Sequence, residues 1–221
     1  MSLQSLITAH ESATFDNAPS GFVLSTAAQG AGKIYEFLGE QPLTKTASTV
    51  VPNARGGVKI TPASGIGGMG TAETLFDTAS TFAFEVKVSK ASLASGQYFF
   101  GISAATVAVT TSSPLSANAV VNNSIGFYIN SGDLSSVVPT SKATGSQVDK
   151  ASVAINAGVY VRLGVKYDPA DRGIRFFVDG QEVASESTAV PASGTQLRVI
   201  IGGTTNGDIV NCDYVAVAVK R

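Results

Sequence analysis

The sequence predicts an all-β fold, a two-sheet antiparallel β-sandwich or jelly roll. Short runs rich in Val, Ile, Thr, Phe and Tyr are separated by Gly, Ser, Pro and Asn along the 221 residues, a composition typical of strands and turns. Several runs alternate apolar and polar residues, as a strand with one buried face does. No helix-length periodic segments lie between them, which argues against βαβ units.

The clearest pair of strands is in the last third of the chain. Residues 159–167 pass through an Asp/Pro/Gly turn into residues 174–183, which contain Asp179 and Gly180. Asp-Gly tolerates the positive φ of a tight hairpin. Antiparallel pairing is therefore expected here.

Residues 1–20 are predicted to form an N-terminal arm, and residues 21–221 a single sandwich domain. Four positions of the arm have the spacing of one helical face over barely two turns; they are Leu3, Leu6, Ile7 and His10. A helix this short is marginal alone. It therefore needs a surface to pack on, either its own domain or a neighbouring chain.

The remaining elements are predicted to be strands joined by loops. The predicted strands are 22–25, 33–38, 57–61, 81–89, 97–103, 124–130, 153–155, 159–167, 174–178, 182–186, 197–202 and 210–220. Long loops are expected at 104–123, 139–151 and 187–195, with an additional Val-rich strand left open in the first.

Two strands carry face-specific predictions. In residues 81–89, Phe and Val share one face while Glu85 and Lys87 share the other, so a dry side and a wet side are expected. Tyr214 to Val219 is apolar on both faces. Such a strand is covered on both sides, or its outer face meets another chain.

Charge and composition exclude several classes of function. A formal net charge of −1 with 14% charged residues gives no basic field for nucleic acid, and a weakly charged surface fits a protein packed against neighbours. The N-terminus lacks the features of a signal peptide, and no apolar run approaches the roughly 20 residues that span a bilayer. We therefore expect synthesis in a host cytoplasm and no membrane partner.

The motifs give no support for an enzyme or a cofactor. Residues 65–70 match G-x-G-x-x-G, but no helix follows to receive a pyrophosphate, so a flexible glycine turn is expected. The one cysteine, Cys212, excludes an intramolecular disulfide, and with one histidine it excludes the usual zinc sites. A histidine-based triad is not expected, because His10 lies in the predicted arm and no G-x-S-x-G motif occurs. Cys212 is predicted to be a small buried residue.

Glycoside hydrolysis would need two carboxylates on one face of a sheet. The same-face neighbour of Glu85 is Lys87, and Glu182 and Glu186 are interpreted as a solvated rim. A glycosidase is therefore the third hypothesis, and a non-enzymatic protein is predicted.

Calcium binding is a further hypothesis. The candidate oxygen ligands are Asp168, Asp171, Asp208 and Asp213. Asp168 and Asp171 are more simply interpreted as turn residues whose side chains accept backbone N–H bonds. No metal is predicted.

Three aromatic residues, Phe99, Tyr128 and Phe177, are expected to point away from the core, because Tyr98, Phe100, Phe127 and Phe176 alternate with them. Converging on one face, they would form a sugar-stacking platform or a patch buried by a partner. The third alternative is burial under an intramolecular loop such as 104–123.

The strand succession resembles that of the concanavalin A-like lectin/glucanase jelly rolls, including laminin-G-like domains. The segments that carry the resemblance are 82–88, 98–103, 125–129, 161–168, 174–183 and 213–217. Glucanases of the family use a Glu-x-Asp-x-Glu type of cluster, which is missing here. The family also implies reuse of the fold in bacteriophage structural proteins, which this chain is similar to in general composition.

The functional prediction is a non-enzymatic structural protein of a bacteriophage virion that decorates or cements the capsid. Its expected partners are the major capsid protein or other virion proteins and further copies of itself. The predicted contacts are Leu3, Leu6, Ile7, Phe99, Tyr128 and Phe177. The alternative is a carbohydrate-binding, lectin-like module of a tail or fibre, in which Tyr128 and Phe177 stack on sugar rings.

Overall fold

The computed structural model describes most of the chain from residue 32 onward. The described ranges are 32–36, 44–46, 48–52, 57–62, 67–71, 74–92, 97–105, 115–116, 119–130, 133–203 and 209–219. The predicted arm, with Leu3, Leu6, Ile7 and His10, and the predicted strand 22–25 lie outside these residues.

Every regular element of the described ranges is a strand, which confirms the all-β prediction. The strands are β1 (Gly32–Glu36), β2 (Thr44–Thr46), β3 (Ser48–Pro52), β4 (Val58–Pro62), β5 (Gly67–Gly70), β6 (Phe76–Asp77), β7 (Phe82–Lys90), β8 (Tyr98–Ser103), β9 (Leu115–Ser116), β10 (Ala119–Val120), β11 (Ser124–Asn130), β12 (Asp133–Lys142), β13 (Gln147–Asp149), β14 (Val153–Ala154), β15 (Val161–Asp168), β16 (Gly173–Val178), β17 (Gln181–Glu186), β18 (Gln196–Gly203) and β19 (Val210–Val219). Within these ranges no helix is long and apolar enough to cross a membrane.

The strands form two antiparallel sheets. Sheet A has the order β17-β16-β15-β7-β19-β4-β3, with β1 also paired to β19. Sheet B has the order β13-β12-β11-β8-β18-β5-β2, with β14 paired to β12 and β6 to β18. β9 and β10 pair only with each other in a short ribbon.

The core lies between the inner faces of the two sheets. Phe82, Phe84, Val86 and Val88 of β7 are buried there, as alternation predicts. The rings of Phe127 in sheet B and Phe176 in sheet A meet edge to face, with centroids 5.7 Å apart. Fully burying a side chain of this size contributes about 1.5–3 kcal/mol, so these rings hold the sheets together. Cys212 is buried in the same core, as predicted.

The prediction of a wet face on β7 is correct at Lys87, whose side chain is 34% exposed, and wrong at Glu85. Glu85 is only 4% exposed, and Ala83 on the same face is also buried. The Glu85 carboxylate accepts a hydrogen bond from the hydroxyl of Tyr214 on neighbouring β19. A carboxylate can be buried in this way because its charge is hydrogen-bonded.

β19 is covered within the chain, which is the first of the two alternatives predicted for it. It pairs with β7 along one edge and with β4 and β1 along the other. Its residues from Tyr214 to Ala218 are all buried.

The glycine-rich motif at 65–70 is not a flexible turn where the structure describes it. Gly67–Gly70 is strand β5, paired with β18 and β2. A Cβ atom at Gly68 would lie 2.2 Å from the carbonyl oxygen of Ile201. Glycine is therefore needed for the close approach of two backbones.

The predicted loop at 139–151 is also largely wrong. β12 runs to Lys142, and β13 follows at Gln147–Asp149. Among the polar residues that suggested a loop, Thr140 is accommodated by a side-chain bond, since its hydroxyl donates to Asp149 Oδ1 at 2.7 Å. The predicted loop at 187–195 is confirmed, as no strand lies there.

Candidate functional site

Phe99 and Tyr128 lie side by side on the outer face of sheet B. They are paired across β8 and β11, and they form a small apolar cluster with Val120, Val138 and Ile200. Phe99 is 0% and Tyr128 3% exposed. Burial under the chain itself, the third alternative, therefore describes these two residues, with Val120 of the 104–123 region in the cover.

A polar network holds Val120 in place. Its N–H donates to Gln147 Oε1 at 2.8 Å, and its carbonyl oxygen accepts from Lys142 Nζ at 2.9 Å. The Tyr128 hydroxyl donates to Asp149 Oδ2 at 3.0 Å. Burial, together with the negative charge and the hydrogen bond of Asp149, raises the pKa of Tyr128 to about 12. These contacts describe a structural cover over Phe99 and Tyr128.

Phe177 lies on the outer face of the other sheet. It is half-buried and is paired with Gly164 of β15 on one side and Glu182 of β17 on the other. The ammonium of Lys166 lies 5.5 Å from the centre of its ring, within the range of a cation–π contact. The three predicted aromatics therefore do not converge on one face, and Phe177 alone retains an accessible ring.

Two clefts adjoin at the end of the β15–β16 hairpin. Phe177 lines neither of them, but it is paired with Glu182 and contacts Lys166, which do. The larger, of about 670 Å³, is lined by Val148, Lys150, Asp171, Gly173, Ile174, Arg175, Glu182, Ser185, Glu186, Ser187 and Thr188. The smaller, of about 310 Å³, is lined by Thr81, Phe82, Lys166, Tyr167, Asp168, Asp171, Gly173 and Arg175. Because both include Asp171, Gly173 and Arg175, we treat them as one surface, the hairpin groove.

The aspartates of this hairpin are turn residues, as the sequence predicted. Asp168 Oδ1 accepts the N–H of Ala170 at 3.0 Å, and Asp171 Oδ1 accepts that of Gly173 at 2.7 Å. Asp213 lies elsewhere, 2.6 Å from the ammonium of Lys87. Asp208 is outside the described residues, within which no group of three potential metal ligands occurs.

Glu186 is not part of a solvated rim, which corrects the prediction. Its side chain is 3% exposed and lies 2.5 Å from the ammonium of Lys150. Its Oε1 accepts the N–H groups of Ser187 and Ala189 at 2.9 and 3.0 Å, and also that of Thr188. Burial alone would raise the pKa of Glu186, but the bonds from Lys150, Thr188 and Ala189 lower it to about 2. Glu186 therefore fixes one wall of the groove and is an anion at neutral pH.

The cations Lys166 and Arg175 of the groove have weaker counter-charges than Glu186 has. Lys166 and Arg175 stand directly opposite each other on β15 and β16. Arg175 Nη1 lies 3.9 Å from Glu182 Oε2, and both side chains are about half exposed. Burial and the charge of Arg175 lower the pKa of Lys166, and the charge of Glu182 only partly offsets this lowering.

Among the carboxylates whose side chains the structure describes, Glu182 has only the half-exposed contact to Arg175, and each of the others is bonded within the chain. Besides those above, Asp77 accepts from Gln196, Asp133 from Ser135 and Ser136, and Asp179 from the N–H of Arg162. The outward positions of β8 and β11 are Phe99, Gly101, Ser103, Ser124, Gly126 and Tyr128, and none is acidic.

Comparison with solved structures identifies the fold. The Bacillus licheniformis β-glucanase is 12% identical, with a TM-score of 0.63 over 86% of this chain and 99% of that one. Arcelin-5, a lectin-like defence protein of Phaseolus vulgaris, is 11% identical, with a TM-score of 0.58 over 86% and 97%. The chain has the concanavalin A-like lectin/glucanase jelly-roll fold.

The carbohydrate recognition domain of Emp47p has the same jelly roll, at 14% identity and a TM-score of 0.61 over 88% of this chain and 98% of that one. No protein-family model matches the sequence. No curated protein matches it either. At these identities the likeness establishes the jelly roll, while function depends on the site.

Proposed function

We propose that the chain is a non-catalytic carbohydrate-binding module that holds a glycan in the hairpin groove, beside Phe177. The observation that carries the proposal is a half-buried aromatic ring on an outer sheet face, next to adjoining clefts of about 670 and 310 Å³. Of the two stacking residues predicted from the sequence, Tyr128 and Phe177, only Phe177 is retained, because Tyr128 is covered.

The chemistry of the groove suits a polyhydroxylated ligand. Sugar rings present an apolar face that stacks on an aromatic side chain, and hydroxyl groups that need donors and acceptors. The groove offers hydroxyls from Ser185, Ser187 and Thr188 and charged groups from Asp171 and Arg175. A small number of fixed polar groups beside an apolar surface is typical of ligand sites.

A binding role without catalysis is supported by the carboxylates. Glycosidases need two of them flanking the scissile bond, one acting as an acid near neutral pH. In the groove, Glu186 is held as an anion by Lys150, and Asp168 and Asp171 are engaged by backbone N–H groups of their turn. None of these environments favours a protonated carboxyl group.

The comparisons agree with this proposal at the level of the fold. They include a carbohydrate recognition domain and a lectin-like protein as well as a glucanase. The jelly roll is therefore compatible with sugar binding, and the hairpin groove supplies the specific hypothesis.

A glycan array with matched variants tests the proposal. Wild-type protein is expected to bind at least one glycan, Phe177→Ala to weaken that binding by about two- to tenfold, and Phe177→Tyr to retain it, because a stacked ring contributes about 0.5–1.5 kcal/mol. Val159→Ala is the control, since Val159 is an exposed apolar residue outside the groove. Absence of any bound glycan, or equal binding by Phe177→Ala, would refute the proposal.

A second proposal is the virion structural protein predicted from the sequence. It is supported by the low charge and by Val51, which is 40% exposed on β3, the terminal strand of the sheet A order. An exposed apolar edge strand is a surface on which another chain can pair. Co-sedimentation with capsids lacking the protein tests it; a chain that stays monomeric and ignores them contradicts it.

A further inference from the structure

The opposition of Lys166 and Arg175 is unfavourable for the protein alone. The two residues are directly paired across β15 and β16, where Cβ atoms of opposite residues are about 4.5–5.5 Å apart and like charges repel. An isolated hairpin gains nothing from two cations at these positions. Their arrangement therefore calls for a compensating negative charge.

The chain supplies little of that charge. Among the described residues, no carboxylate lies within ion-pair distance of Lys166, and its ammonium faces the ring of Phe177 instead. Arg175 has only the long contact to Glu182. The lowered pKa of Lys166 agrees with this geometry, since burial and Arg175 both disfavour its charged form.

The acidic residues of the same cleft do not fill the position. Asp168 and Asp171 line the smaller cleft together with Lys166 and Arg175. Each has Oδ1 committed to a backbone N–H of the turn. The cleft that Lys166 and Arg175 both line is therefore the place where a ligand could supply the anion.

We propose that the ligand of the hairpin groove is an acidic saccharide, whose carboxylate or sulfate lies between Lys166 and Arg175 while its ring stacks on Phe177. This inference rests on the proposed carbohydrate-binding function and adds the ligand's charge. The fork of an arginine matches two anionic oxygens, and the flexible lysine stem allows the ammonium to swing from the ring to the anion. A uronic acid bears its carboxylate directly on the sugar ring, so ring stacking brings the anion close to both cations.

Calorimetric titration with paired saccharides tests this inference. The probes are oligogalacturonate and oligoglucuronate, each with its carboxyl-reduced neutral counterpart, and sulfated oligosaccharides with their desulfated forms. Wild-type protein is expected to bind at least one acidic form about tenfold more tightly than its neutral partner, with an affinity that falls as salt rises. The uronate and sulfate arms identify which anion is recognised.

Variants assign the effect to the two cations. Lys166→Gln is expected to remove the preference for the acidic form over its neutral partner, and Lys166→Arg to keep the preference. Lys59→Gln is the control, because Lys59 of β4 lies outside the groove. The salt dependence of wild-type binding provides a second measurement that needs no variant.

The outcomes separate this inference from the proposed function. If acidic and neutral partners bind equally and Phe177→Ala weakens both, the carbohydrate-binding proposal stands and the acidic ligand is refuted. An acidic preference that survives Lys166→Gln also refutes the inference. If no saccharide binds, both proposals fall.

Discussion

Lys150 and Glu186 form an ion pair that connects the edges of the two sheets. Lys150 follows β13 of sheet B, Glu186 ends β17 of sheet A, and Nζ and Oε2 are 2.5 Å apart. The other carboxylate oxygen accepts three consecutive N–H groups at residues 187–189. One side chain therefore fixes both the closure of the sandwich at this edge and a wall of the hairpin groove.

Glu186→Ala is expected to destabilise the protein by about 2–4 kcal/mol, because it leaves a partly buried ammonium and several N–H groups without their acceptor. Urea denaturation measures the change. Glu182→Gln is the control: its pair with Arg175 is about half exposed, so a change below about 1 kcal/mol is expected. Equal effects of the two substitutions would contradict the role given to Glu186.

The ion pair of Glu186 and Lys150 also predicts that the free energy of unfolding decreases at acid pH. The pKa of Glu186 falls from 4.5 to about 2 on folding, so the unfolded chain binds the proton more tightly and stability decreases with falling pH in that window. The contribution is fully present above pH 4.5 and is lost as the pH approaches about 2. Urea unfolding of wild type and Glu186→Gln between these pH values measures it, and the variant should show a shallower loss. Parallel pH profiles would contradict the prediction.

Lys166→Met is expected to stabilise the free protein by about 0.2–1 kcal/mol, since it removes a like-charge pair across two strands. The thermal midpoint of unfolding at low salt, where charge repulsion is least screened, measures the gain. Lys59→Met provides the comparison for removal of a lysine from an outer face. A clear loss of stability in Lys166→Met would mean that Lys166 is compensated in the free protein.

Phe99 and Phe177 are a matched pair for separating structure from binding. Phe99→Ala removes a fully buried ring and is expected to cost about 3–5 kcal/mol. Phe177→Ala removes a half-buried ring and should cost clearly less in the same urea experiment. Comparable losses would indicate that Phe177 is as structural as Phe99.

The sequence was sufficient for the fold where alternation and turn chemistry agreed. β11 was predicted with both ends correct, and the β15–β16 hairpin followed from its Asp/Pro/Gly turn. β12 was missed because Ser, Thr and Pro139 are residue types common in loops. In the structure Thr140 is buried, and its hydroxyl is satisfied by a hydrogen bond to Asp149. β5 was missed because its glycines were expected to form a turn. In the structure glycine is needed at Gly68 so that the backbones of β5 and β18 can approach each other closely.

The site was less accessible to sequence reasoning. Alternation correctly pointed Phe99 and Tyr128 away from the core, but it says nothing about what covers an outer face, here Val120. The opposition of Lys166 and Arg175 was contained in the hairpin register, because Asp168 pairs with Gly173 and the next same-face pair is Lys166 with Arg175. Glu186 is also held by Lys150 across the edge of the sandwich. A contact between residues so far apart in the sequence cannot be predicted from the local sequence pattern.

The most direct test is an NMR titration of isotopically labelled protein with a saccharide bound on the array. A ligand in the hairpin groove should shift the signals of Gly164, Lys166, Gly173, Arg175 and Phe177 and leave those of Val120 and Tyr128 unchanged. Shifts centred on Val120 and Tyr128, or no shifts with any saccharide, would contradict a sugar site at this hairpin.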